Sequence, residues 1–160
     1  LSRFNLTDAV REILGRYKKF TEQDGYTIDL RADGDYYVYA DKIKITQVLY
    51  NLLNNAIAYT GEDKKITIRV RRAKNAVRVD VIDTGEGIPP EKLGMIWDRY
   101  YKLDKTHKRA KIGTGLGLSI VKASMEQLGQ PYGVYNCEDG VSFWFELDCQ
   151  DAAEMIQEQA

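Results

Sequence analysis

Two glycine-rich segments, one after a strand and one ahead of a helix, bound residues 83–121 and constrain this chain most. The first is Asp83-Thr84-Gly85-Glu86-Gly87-Ile88-Pro89. It follows the run 77–82, Val-Arg-Val-Asp-Val-Ile, whose apolar positions alternate and then crowd as a strand entering a core does. A carboxylate at a strand end, followed by alternate glycines, sets an acceptor beside backbone that a ligand can approach closely. The second is Gly113-Thr114-Gly115-Leu116-Gly117-Leu118, leading into Ile120, Val121, Met125 and Leu128 at helical spacing. Glycines ahead of a helix leave free N–H groups and the positive dipole end for phosphate. The first segment suits a flat polar ring and the second suits phosphates, so together they read as a nucleotide site. Each alone is weak, because glycine turns commonly only punctuate a chain. Neither is a Walker loop or a full dinucleotide fingerprint.

The upstream sequence supplies a third element. Asp41 opens a helix of about twenty residues, judged by its periodicity. Ile45, Val48, Leu49, Leu52, Leu53, Ala56 and Ile57 form its apolar stripe. Gln47, Asn51 and Asn55 stand four apart and stack along one flank of it. An exposed polar face would explain them, but the Asn pair borders the apolar stripe rather than opposing it. Amide oxygens there can coordinate a hard cation such as Mg²⁺ while phosphates supply further ligands.

The remaining chain reads as one domain. Residues 1–24 are expected to form a single helix, capped by Thr7 or Asp8 and ended by Gly25. Residues 26–31 and 36–39 read as strands joined across Asp33-Gly34-Asp35 into a hairpin at a sheet edge. Residues 66–71 and 76–83 form an antiparallel pair. A short helical piece follows Pro89-Pro90, and a basic connector with Lys105, His107, Lys108, Arg109 and Lys111 reads as a loop. A third long helix spans 115–129, and 132–137 with 141–147 make a final hairpin. The expected domain is 1–148, with 149–160 a polar tail. With 44% hydrophobic and 29% charged residues the composition is that of a soluble globular protein. The net charge of −1 disfavours nucleic acid or an anionic membrane as partner. No apolar run is long enough to span a bilayer, and Cys137 and Cys149 lack metal-ligand spacing. A start at Leu1 without an initiator Met points to a piece of a longer protein.

With the Asn helix in place, residues 4–147 resemble the catalytic ATP-binding domain of bacterial two-component sensor histidine kinases. That family shares the Bergerat fold with the gyrase, Hsp90 and MutL ATPases. Residues 47–60 match its N box, and Asp83-x-Gly85-x-Gly87-Ile88 its G1 box. Residues 96–102 match the F box, with Trp97 and Tyr100 in place of the usual two Phe, and 113–121 match the G2 box. The resemblance implies a two-layer α/β (α+β) sandwich, a mixed, mostly antiparallel sheet of about five strands on three helices. It implies ATP and Mg²⁺ as cofactors. Asp83 would accept a hydrogen bond from the adenine amino group, and Asn55, with Asn51, would hold the metal. Tyr59, Gly85, Gly87 and Ile88 would lie near the base. Gly113, Thr114, Gly115, Leu116, Gly117 and Leu118 would border the phosphates, with Lys105 in a lid over residues 102–112. Asn51, Asn55, Arg99 and Lys102 are the implied catalytic set. The chain departs from the family at Ala58, where Lys, Arg or His is usual, at Lys102 instead of Arg, and at Leu128-Gly129-Gln130 instead of a His-Gly-Gly.

The implied activity is transfer of the ATP γ-phosphoryl group to a histidine on a dimerisation domain outside this chain, which then serves a response regulator. The only histidine, His107, lies in the basic connector and lacks the helical setting of an acceptor. The implied place is the cytoplasm, in a domain that does not itself touch a membrane, compatible with a parent that is an inner-membrane receptor. Two other readings stand beside this one. A gyrase- or Hsp90-type ATPase clamp uses a Glu base where this chain has Asn51. A non-catalytic nucleotide-binding or partner-sequestering module, a degenerate kinase or an anti-sigma-like protein, draws support from Ala58.

Overall fold

In the computed structural model, residues 1–98 and 117–150 are described. The elements run β1 (Ser2–Asn5), α1 (Leu6–Arg16), α2 (Lys18–Asp24), β2 (Thr27–Ala32), β3 (Tyr37–Ala40), α3 (Lys42–Tyr59), β4 (Lys65–Ala73), β5 (Ala76–Asp83), α4 (Gly117–Leu128), β6 (Tyr132–Cys137) and β7 (Gly140–Asp148). A 3₁₀ turn at Pro90–Lys92 lies between β5 and α4. A five-stranded sheet has the order β2-β4-β5-β7-β6, in which only the β2–β4 pair is parallel. This is the mixed sheet and helical layer expected from the sequence.

Period-two alternation puts one side of each central strand into the core. Ile66, Ile68 and Val70 of β4, Val77, Val79 and Val81 of β5, and Val141, Phe143, Phe145 and Leu147 of β7 are all buried. They meet Ile45, Val48, Leu49, Leu52, Leu53 and Ala56 of α3 and Val121 and Met125 of α4 in one core. Asp41 caps α3, its side chain accepting from the backbone N–H groups of Ile43 and Lys44 at 3.1 and 3.2 Å. Asp83 falls two residues after Val81, so the alternation aims it at the helical layer, where it is 1% exposed.

The N-terminal region differs from expectation. Residues 2–5 form a strand, and the helix after it breaks at Tyr17 into α1 and α2. The cap is Asn5, whose side chain accepts from Asp8 N–H, and not Thr7 or Asp8. Thr7 instead donates to the carbonyl of Gly34 at 3.0 Å. At the break the Tyr17 N–H bonds back to Leu14 O at 3.1 Å, and its hydroxyl reaches Asn54 on α3 at 2.8 Å. A tertiary contact thus overrides the helical period. Gly25 does close α2, with φ 77°.

The proposed β2–β3 hairpin does not form. β3 pairs antiparallel with β1 in a separate two-stranded ribbon, and β2 pairs in parallel with β4. Asp33 and Gly34 form a bend, but Leu6 N–H takes the Tyr36 carbonyl and Thr7 holds Gly34, so the chain leaves that bend toward β1. Past β7, Cys149 bridges to Val38 and Gln150 N–H bonds to Tyr37 O, tying the ribbon to the sheet.

Candidate functional site

The site is built where β5 ends. Asp83 lies between Ile66 of β4 and Val141 of β7 in the register, at the centre of the sheet. Its Oδ1 accepts from the Gly85 N–H at 2.8 Å, which folds the following loop back over the carboxylate. Gly85 is pressed on the last turn of α3. A Cβ there would stand 2.0 Å from the Tyr59 carbonyl and 3.0 Å from Asp83 Oδ1. Only a residue without a side chain fits between them. The first glycine segment and the C-terminal end of the Asn helix are therefore in direct contact.

Threonines fasten this junction. Thr60 Oγ1 donates to the Lys65 carbonyl at 2.7 Å and accepts from Thr84 N–H at 3.2 Å. Thr84 Oγ1 accepts from Gly61 N–H at 3.2 Å and donates to Asp63. That last bond, ahead of the Lys65 contacts, holds the Asp63 carboxyl below its ordinary range.

Asn136 of β6 holds the other end of the loop. Its Oδ1 accepts from Ile88 N–H at 2.8 Å and its Nδ2 donates to Ile88 O, also at 2.8 Å. Ile88 itself is 2% exposed. Burial, and then the charges of Asp80 and Asp83, push the neighbouring Cys137 thiol up.

Asn51 and Asn55 are half-buried on α3, and Asn51 Oδ1 is 3.5 Å from where a Cβ of Gly117 would be. The Asn flank thus faces the start of α4, against which α3 packs. Lys44 and Gln127 add a hydrogen bond between the two helices. Asn55 Nδ2 is buried without a hydrogen-bond partner among the described residues. Ile96 and Trp97 are buried, and Trp97 stacks edge-on against Tyr132 and Phe143 at 5.0 and 5.7 Å. Of the sequence-identified residues, Asn51, Asn55, Tyr59, Asp83, Gly85, Gly87, Ile88, Gly117 and Leu118 lie around this region. Arg99, Lys102, Lys105, Gly113, Thr114, Gly115 and Leu116 lie outside the described residues.

The sequence from 40 to 151 matches the family model described as "Histidine kinase-, DNA gyrase B-, and HSP90-like ATPase". The chain belongs to this ATPase family. Among curated relatives, the sensor histidine kinase WalK of Bacillus subtilis (strain 168) is 38% identical over 119 residues, 73% of this chain and 20% of that protein. The sensor histidine kinase CusS of Escherichia coli (strain K12) is 35% identical over 120 residues, 74% of this chain and 25% of that protein. This chain thus corresponds to about a fifth to a quarter of the length of these relatives. The catalytic domain of the histidine kinase ThkA superposes with a TM-score of 0.81 at 34% identity, covering 92% of this chain and 94% of that one. The chain is thus a histidine kinase-type ATPase catalytic domain, with the ATP use that this family implies.

The residues missed by sequence reasoning are Thr60, Thr84 and Asn136. Thr60 and Thr84 stood inside or beside matched motifs, and their polarity at two element ends was the available signal. Asn136 offered none, being one polar residue in an edge strand.

Proposed function

We propose that this domain binds Mg²⁺-ATP and transfers its γ-phosphoryl group to a histidine on a dimerisation domain of a longer sensor kinase. The observation that carries the reading is the meeting of three parts at α3: the Asp83–Ile88 loop on its C-terminal end, the Asn flank, and the start of α4 beside Asn51. Asp83 is the reader of the adenine amino group, since its buried carboxylate at the end of β5 can accept a hydrogen bond. Tyr59, Gly85, Gly87 and Ile88 border the base, while residues 113–118 supply backbone N–H groups to the phosphates.

The donor set suits a cation that arrives with the nucleotide. Among the described residues no group of three or more His, Cys, Asp or Glu could hold a metal. Asn55 and Asn51 offer neutral amide oxygens to the cation, and Asn55 Nδ2, without a partner among the described residues, is a donor left for a phosphate oxygen. Mg²⁺ is commonly held by few protein ligands plus phosphates and water. Bound there, it would neutralise charge on the phosphates. Phosphoryl transfer needs positioning and charge neutralisation more than covalent help, and Arg99, Lys102 and Lys105 are the proposed cationic contributors. Asn51 cannot take a proton from water, which favours transfer over hydrolysis.

ThkA has been solved with a response regulator, and this chain is 32% identical to it there. A response regulator is accordingly the proposed recipient of the phosphoryl group, by way of the acceptor histidine and in the cytoplasm. Among the described residues no helix is long and apolar enough to cross a membrane.

The test combines this chain with a fragment of its parent that carries the acceptor histidine, in γ-labelled ATP and Mg²⁺. Acid-labile label on that fragment is expected, none on this chain, and its loss with Asn55→Ala. Steady release of phosphate into water without labelling would favour an ATPase clamp instead.

A further inference from the structure

We infer that Asn136 is a positioning residue for the base end of the nucleotide site, acting through the backbone of Ile88. The inference rests on the ATP-site reading above. Asn136 is exposed on β6, the edge strand of the sheet, and its amide spends both polar atoms on one residue 48 positions away. The pair of bonds is reciprocal, with Ile88 N–H donating to Oδ1 and Nδ2 donating to Ile88 O. Only an amide side chain offers a donor and an acceptor in that fixed spacing.

The loop between Asp83 and Ile88 is thereby fixed at two ends. At its start the Gly85 N–H holds Asp83 Oδ1, which sets the orientation of the carboxylate. At its end Asn136 holds Ile88, whose side chain is in the core. A Cβ at Gly87 would stand 3.3 Å from Asn136 Oδ1, so the loop also passes close to the amide at Gly87. Freed from Asn136, the loop would keep only the Gly85–Asp83 bond and the buried Ile88 side chain, and the nucleotide would have to order the backbone between them. Part of the binding free energy would go into that ordering.

Asn136→Ala removes both bonds. Asn136→Asp keeps an acceptor for Ile88 N–H but sets a carboxylate against Ile88 O. Tyr135→Ala, on the same strand and the opposite face, is the control for plain loss of hairpin stability. Melting temperature and nucleotide affinity are measured for each, well below the melting transition, with Mg²⁺-ATP, ADP and AMP. Both Asn136 variants should lose affinity about tenfold, by the same factor for all three nucleotides, since the anchor serves the base. Tyr135→Ala should melt earlier and bind as the unaltered chain does. Unchanged affinity in a folded Asn136→Ala chain would overturn the inference, as would a loss confined to ATP. If the unaltered chain fails to bind ATP, the reading of the site falls first and the inference with it.

Discussion

Gly140 and Asp83 share a space that admits no further carbon. A Cβ at residue 140 would stand 1.8 Å from the Asp83 carbonyl oxygen and 2.9 Å from the Thr84 Cα. The first residue of β7 is thus packed against the backbone of the carboxylate that ends β5. Gly140→Ala should force these strand ends apart and destabilise the fold by about 1–3 kcal/mol. Urea unfolding would read this as a lower midpoint. The same displacement should weaken ATP binding in the molecules that remain folded.

Asp83→Asn keeps the size of the side chain and replaces an acceptor with a donor. A mismatched buried pair costs about 1–3 kcal/mol, so calorimetry should find ATP bound roughly ten- to a hundredfold more weakly. Gly85 N–H can still reach the amide oxygen, so the melting temperature should change far less than the affinity. Equal ATP affinities would remove Asp83 from the base-reading role.

Thr60→Val is nearly isosteric and removes the hydroxyl that joins Lys65 O to Thr84 N–H. Thr60 is 9% exposed, so both backbone groups lose a partner with little water to replace it. The expected loss is about 1–3 kcal/mol in chemical denaturation. Hydrogen exchange at Thr84 should quicken in the same variant, since its amide proton is the one released.

On the other face of β5, Asp80 is 1% exposed. Its carboxylate takes Ser142 Oγ at 3.1 Å and Arg78 Nε at 3.3 Å, and the Arg78 guanidinium lies over Trp144 at 4.2 Å. Asp80→Ala strands a mostly buried guanidinium whose remaining carboxylate, Glu146, is 3.6 Å away. A destabilisation of about 3 kcal/mol is expected. Nucleotide affinity in the folded fraction should be unchanged, because the cluster faces away from α3.

Stability should fall at alkaline pH. Burial first, and then the charge of Tyr50, push Tyr17 up to about 12, and Tyr132 rises to about 12 through burial and its bond to Glu126. Between the ordinary value of 10.0 and about 12, the unfolded chain has released protons that the folded chain keeps. The folded state binds more protons there, so stability is full below about 10 and declines as pH rises through that window. Tyr17→Phe should make the decline shallower in urea midpoints measured across it.

The legible parts of this fold are those whose signal is local. Asp41, the apolar stripe of α3 and the Asn spacing lie within one helix, so period and cap suffice. The central strands carry a clean alternation, and Asp83 follows from it by parity alone. What stayed hidden depends on distant partners. Thr84 is 24 residues from Thr60, and Ile88 is 48 from Asn136. No periodicity encodes such bonds. Residues 2–5 carry no local strand signal, because their strand character depends on β3, more than thirty residues later. Asp33-Gly34 bends the chain but makes no hairpin, because both flanking strands pair elsewhere.

The β1–β3 ribbon runs into α3 with only Asp41 between Ala40 and the first helical residue, and Asp41 is the cap. Both are also held to the rest of the fold, the ribbon through Cys149 and Gln150 and the helix through its buried stripe. Side chains reach about 5–6 Å from a helix axis, so a turn of α3 by about 10° would sweep Asn51 and Asn55 through about 1 Å. Catalytic constellations tolerate errors of only about 0.5 Å. The buried stripe of α3 and the ties of the ribbon to the end of β7 are what resist such a turn and keep the Asn pair in place.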